Sequence, residues 1–203
     1  TNELDYFIND SCSSIVIVDS RIENKLKELL DNQNIIFLTL NSDESGSLNE
    51  SLVQQDENFD PVDRKKDDLA AILYTSGTTG KSKGAMLSHR NLVSNTAVLK
   101  ETWRYSSDDT LLHMLPIYHT HGLFVAFNLL AYVNGSIIFL PKFSIQDALK
   151  WMKKSTSMMG VPTFYTRLLS DEKFNQDLVK HVRLFISGSA PLLAETHIEF
   201  ENR

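Results

Sequence analysis

LAAILYTSGTTGKSKGAML, residues 69–87, holds two structural signals on either side of a chemical one. Leu69–Tyr74 is apolar and reads as a strand. It runs directly into Tyr74–Gly84, which carries three glycines, three threonines, two serines and two lysines. Lys83–Leu87 then reads as a second short strand. In the connecting loop Gly77, Gly80 and Gly84 let backbone N–H groups approach a ligand closely. Thr75, Ser76, Thr78 and Thr79 add hydroxyls, while Lys81 and Lys83 add charge. A loop that offers mainly donors and cations suits a polyphosphate. The plainer reading is a solvated turn, since the same residues favour turns. A Walker-type phosphate loop needs four residues between its glycines and a helix straight after. Here only Thr78 and Thr79 separate Gly77 from Gly80, and a strand follows.

Working outward, residues 13–19 and 35–40 are short apolar runs rich in β-branched residues, expected to form buried parallel strands. Ile22, Leu26, Leu29 and Leu30 recur between them at helical spacing, which completes a β-α-β unit. Beyond the loop, Ser88 is placed to cap a helix through Leu92–Leu99. Residues 111–115 and 136–140 read as strands flanking a buried apolar helix over 123–133. Ser144 caps a helix with Ile145, Ala148, Leu149 and Met152 on one face. Residues 181–187 give the last strand, and a last helix starts at Leu192. This alternation predicts an α/β fold of mostly parallel sheets layered with helices.

The net charge of −6 comes from residues 41–68, where nine acids face Arg64, Lys65 and Lys66. That segment reads as an acidic surface connection. The rest is balanced, so no basic field for nucleic acid is visible. The apolar run 123–133 is too short to span a bilayer. Cys12, the single cysteine, excludes an intrachain disulfide and fits a reducing compartment.

Three separated motifs carry a family resemblance. Tyr74–Gly84, Leu115–Gly122 (LPIYHTHG) and Ser187–Leu192 (SGSAPL) resemble, in order and spacing, core motifs of the adenylate-forming superfamily of acyl-CoA synthetases, adenylation domains and luciferases. Residues 116–126, 160–169 and 183–193 are most similar to malonyl-CoA synthetases. The likeness is good from about residue 60 onward, looser before it, and absent over 41–58. It implies that the chain is a partial large N-terminal adenylation domain. It also implies activation of a carboxylic acid with ATP and Mg²⁺ through an acyl-adenylate, followed by transfer to coenzyme A.

The resemblance gives catalytic roles to His119 and Lys83. Thr75, Ser76, Gly77, Thr78, Thr79, Gly80 and Lys83 would hold the ATP phosphates, with Thr78 or Thr79 near the metal. Gly188, Ala190 and Pro191 would flank adenine. His121 would line the acyl pocket, and Arg167, assisted by Ser189, would receive the distal carboxylate of malonate or methylmalonate. Read without the resemblance, His119 and His121 are loop histidines lacking the further ligands that a metal site needs. Arg167 on its own reads as a solvated helix charge. Ligases for another carboxylic acid, or a non-catalytic nucleotide-binding module, are the alternative readings. The family pattern continues past Arg203 into further magnesium and lysine residues, so the chain is expected to be a fragment, inactive alone and prone to self-association. A cytoplasmic location is expected, with an organelle matrix left open.

Overall fold

The computed structural model describes residues 2–30, 34–75 and 82–203. The chain divides into two compact units, Thr1–Leu87 and Ser88–Arg203.

In the first unit, α1 (Asn2–Asp10) precedes β1 (Ile15–Val18), α2 (Ser20–Leu29) and β2 (Ile36–Thr39). Asp19 caps α2 by accepting from the Arg21 amide. The two strands are parallel, with Ile15 opposite Ile36 and Val18 opposite Thr39. That register puts Ile15, Ile17 and Ile36 on one face, where each is more than half exposed. The expectation of buried strands is therefore corrected. The crossover helix α2 lies on the other face, with Lys27 Nζ 5.9 Å from the Phe37 ring and Leu26 and Leu30 buried. One helix layer covers only one side of a strand pair. Within the acidic stretch, Gly46 at φ 127° leads into the short helix α3 (Ser47–Leu52). A Cβ there would collide with the Thr39 carbonyl, so glycine is required. β3 (Leu69–Thr75) pairs with β4 (Lys83–Ser88).

The second unit opens with α4 (His89–Trp103), started by a reciprocal cap between Ser88 and Asn91. There follow β5 (Thr110–His113), a π-helix (His121–Phe127), α5 (Asn128–Val133), β6 (Ser136–Phe139), α6 (Ile145–Met152) and β7 (Ser157–Gly160). The remaining elements are α7 (Pro162–Leu169), α8 (Gln176–Val179), β8 (Leu184–Ser187) and α9 (Ala194–Asn202). The single apolar helix expected over 123–133 is thus a π-helix followed by an α-helix.

The four strands form one sheet in the order β6-β5-β7-β8, and every pairing is parallel. Alternation sends Leu112 and Met158 to one face, where they pack with Ala148, Met152 and Leu168. It sends Leu111 and Met159 to the other, against Ala126, Leu129 and Leu130. Both faces are covered, as a parallel sheet requires. At the amino edge Asp109 accepts two bonds from Arg183, at 2.8 and 2.7 Å, and one from Thr156 at 2.7 Å. Among the described residues no helix is long and apolar enough to cross a membrane.

Candidate active site

Because β5, β6, β7 and β8 run parallel, the segments leaving their carboxyl ends emerge at one edge of the sheet. The chain leaves β5 toward β6 on one side, and β7 and β8 lie on the other. Ligand crevices of open α/β sheets form where the strand order reverses in this way. Two of the motifs singled out in the sequence, residues 115–122 and 187–192, lie at this edge.

After β5 the chain turns at Pro116, whose carbonyl accepts from the His119 amide at 3.3 Å. His119 is exposed, with its ring 4.6 Å from that of Tyr118. A side chain at Gly122 would run into the Pro116 carbonyl, so glycine lets the π-helix start close under the turn. Buried His113 donates from Nε2 to the Gly122 carbonyl at 2.8 Å and stacks on Phe139 at 4.9 Å. This support is not evident from sequence, where His113 reads only as the end of a strand.

His121 opens the π-helix, an irregularity common at functional sites. Its Nδ1 lies 3.0 Å from the Ser189 hydroxyl. A Cβ on Gly188 would come 3.0 Å from His121 Cε1 and 3.4 Å from Nδ1, so the ring rests directly on the glycine. Ser189 has φ 67°, an unusual left-handed conformation for a serine. Burial, and secondarily the neighbouring His113, lower the pKa of His121 below its ordinary 6.5. The imidazole is therefore neutral at pH 7. Ala190 and Pro191 continue from Ser189 and are exposed.

α7 follows β7, beginning with proline at its first position. A Cβ at Gly160 would approach the Phe164 ring to 2.9 Å and the Tyr165 ring to 3.2 Å, so the bare backbone lets α7 pack close to the strand. The Tyr165 hydroxyl donates to the Ile186 carbonyl, which ties α7 to β8. Arg167, in the last turn, lies over the Phe143 ring at 4.8 Å, and Phe143 stacks on Phe164 at 4.1 Å. Among the described residues its guanidinium is paired with no carboxylate. Nor does it bond to His121 or Ser189. The structure thus joins His121 to Ser189 directly and sets Arg167 apart on Phe143.

In the first unit, Thr75 ends β3 and Lys83 begins β4, both exposed. Ser76, Gly77, Thr78, Thr79 and Gly80 lie outside the described residues. Among the described residues no group of three histidine, cysteine or acidic side chains is placed to hold a metal ion.

A family model described as AMP-binding enzyme matches residues 1–203. The chain belongs to the AMP-binding enzyme family. It is 35% identical over 210 residues to a mitochondrial malonate–CoA ligase of Mus musculus, covering 94% of this chain and 35% of that one. It is 39% identical over 158 residues to a malonate–CoA ligase of Arabidopsis thaliana, covering 68% of this chain and 26% of that one. Among solved structures, ATP-bound MatB from Rhodopseudomonas palustris is 51% identical with a TM-score of 0.95, covering 100% of this chain and 40% of that one. This member of the AMP-binding family therefore spans well under half the length of the relatives it matches.

Proposed function

We propose that this chain is part of the large adenylation domain of an acid–thiol ligase that activates a short dicarboxylic acid, malonate or methylmalonate. One carboxylate oxygen attacks the α-phosphorus of ATP, the bond to the β-phosphate oxygen breaks, and pyrophosphate leaves. The thiol of coenzyme A then attacks the acyl carbonyl and AMP leaves. Both reactants of the first step are anions, so positioning and cationic donors carry most of the catalysis.

The observation that carries the reading is Arg167, an aromatic-backed guanidinium paired with no carboxylate among the described residues. Such a group takes a carboxylate through two parallel hydrogen bonds. Arg167 is exposed in this structure; the diacid is selected when the acid-bound, full-length protein excludes water from the guanidinium, because a monocarboxylic acid then leaves it unmatched. The neutral His121–Ser189 pair gives the acyl pocket a polar wall without a second charge. Flat adenine fits beside Gly188, Ala190 and Pro191, where the side chains are small. Lys83, with Thr75, Ser76 and residues 77–80, would hold the phosphates, and His119 would line the adenylate. Mg²⁺, when bound, would neutralise phosphate charge near Thr78 or Thr79.

The names of the malonate–CoA ligases it resembles support the same substrate class. The test is ATP–pyrophosphate exchange by the full-length protein across a panel of acids. Malonate and methylmalonate should drive exchange well above acetate and propionate. Equal rates with the monocarboxylic acids would overturn the reading.

A further inference from the structure

α7 fixes where Arg167 leaves the backbone, but not where its long side chain ends. The residue is exposed, and among the described residues its guanidinium donates no hydrogen bond and pairs with no carboxylate. An arginine in that position keeps much of its rotamer freedom. What locates its charged end is Phe143, because Arg167 Cζ lies over that ring, 4.8 Å from the centroid. If the side chain only laid its apolar stem along the ring, the charge would extend past it into water. Here the cation itself sits over the aromatic face, which attracts it.

Phe143 is in turn held on a layered support. It precedes Ser144, whose hydroxyl accepts from the Asp147 amide and starts α6. Its ring stacks on Phe164 at 4.1 Å with the two planes 15° apart. Phe164 lies against Gly160 at the end of β7, where a Cβ would come 2.9 Å from Phe164 Cδ2. Both rings pack on the core cluster that contains Leu112, Ala148 and Met152. Phe164 and Arg167 are three residues apart on α7 and share a face. The Phe143 ring thus rests on the first and carries the second. A contact with a ring face leaves the guanidinium fork free to donate to a carboxylate.

We propose that Phe143 is a positioning residue for selection of the diacid. Its ring holds the Arg167 guanidinium in place before the distal carboxylate arrives, and so removes side-chain ordering that binding would otherwise have to overcome. The substrate part of the proposal rests on the function proposed above, whereas the aromatic shelf itself does not.

The test replaces Phe143, in the full-length protein, by mono-, tri- and pentafluorinated phenylalanine. These keep the shape of the ring while weakening its negative face step by step, so no cavity is made. The KM for malonate should rise along the series to about 2- to 5-fold, the worth of an exposed cation–π contact. The kcat should move less than about 1.5-fold, since ground-state and transition-state binding fall together. The KM for propionate should not follow the series. In an Arg167→Met background the malonate trend should vanish, because the two residues act as one unit. A malonate KM that is flat across the series, or that keeps its trend without Arg167, overturns the substrate role of Phe143. The shelf has its own readout in the Arg167 Nε–H resonance, which should shift between wild type and Phe143→Leu. An unmoved resonance overturns the shelf, whichever acid the enzyme prefers. A shifted resonance in a protein whose wild type treats malonate and propionate alike overturns the proposed function, and the substrate role of Phe143 with it.

Discussion

His121 Nδ1 lies 3.0 Å from the Ser189 hydroxyl, with the imidazole resting on Gly188. The contact joins the segment after β5 to the segment after β8. It depends on a glycine that leaves the ring its place and on a serine held at φ 67°.

Gly188→Ala should therefore displace the ring, because the new methyl would sit 3.0 Å from Cε1. We expect a drop of about 10-fold in kcat/KM for malonate. Ser189→Ala should cost about 3-fold through the single lost hydrogen bond. Steady-state kinetics on the full-length protein distinguish the two, and a harmless Gly188→Ala would contradict the packing described.

His121 should titrate low. Burial depresses its pKa, so the folded state favours the neutral ring. Any stability gained this way is complete above the unfolded value near 6.5 and is lost as pH falls through the lower folded value. An NMR titration of the His121 Cε1 proton should show a midpoint below 6.5; a midpoint at or above it contradicts the assignment.

At the opposite edge, Asp109 is 4% exposed and is held by Arg183, Thr156 and the Ser106 amide. Burial alone would raise its pKa, but these partners outweigh burial and leave it lowered. Arg183→Leu should destabilise the fold by about 2–4 kcal/mol, toward the lower end because Arg183 is partly solvated. The part of the wild-type advantage that comes from Asp109 should be complete above the ordinary carboxylate value of 3.8 and be lost as pH falls through the lower folded value, leaving the part from the Arg183 bonds to the Trp103 and Arg104 carbonyls. Urea unfolding across pH measures both, and an advantage of the same size at every pH would contradict the ion pair's role.

Lys83 begins β4 at the end of the loop and is exposed. Lys83→Ala should slow ATP–pyrophosphate exchange by about 10-fold, the worth of one cationic contact to a phosphate. An unchanged rate would remove the lysine from the phosphate site.

The parallel α/β plan was legible because β-branched runs, helix periods and the caps at Ser88 and Ser144 all agree. The strand β7 was not legible. Ser157-Met158-Met159-Gly160 is four residues long and contains no β-branched side chain, yet all four are buried at the centre of the sheet. Its conformation is decided by neighbours on both sides, which local propensity does not report. α1 was also missed, since its nine residues give only a short pattern and its long-range hydrogen bonds, Tyr6 to the Ser82 carbonyl and Asp10 from Tyr74, are made far along the chain. At the site, the motif residues were visible in the chain, whereas His113, Gly160 and the Phe143 platform under Arg167 arise only from the fold. The buried appearance of β1 and β2 misled because composition does not say how many faces a helix covers.

The most direct test of the central claim is the effect of Arg167→Met on acid selectivity in the full-length protein. Methionine keeps the apolar contact with Phe143 while removing the guanidinium. The account predicts that kcat/KM for malonate falls by about 100-fold while that for propionate changes by less than about 3-fold. Equal losses on both acids would contradict it.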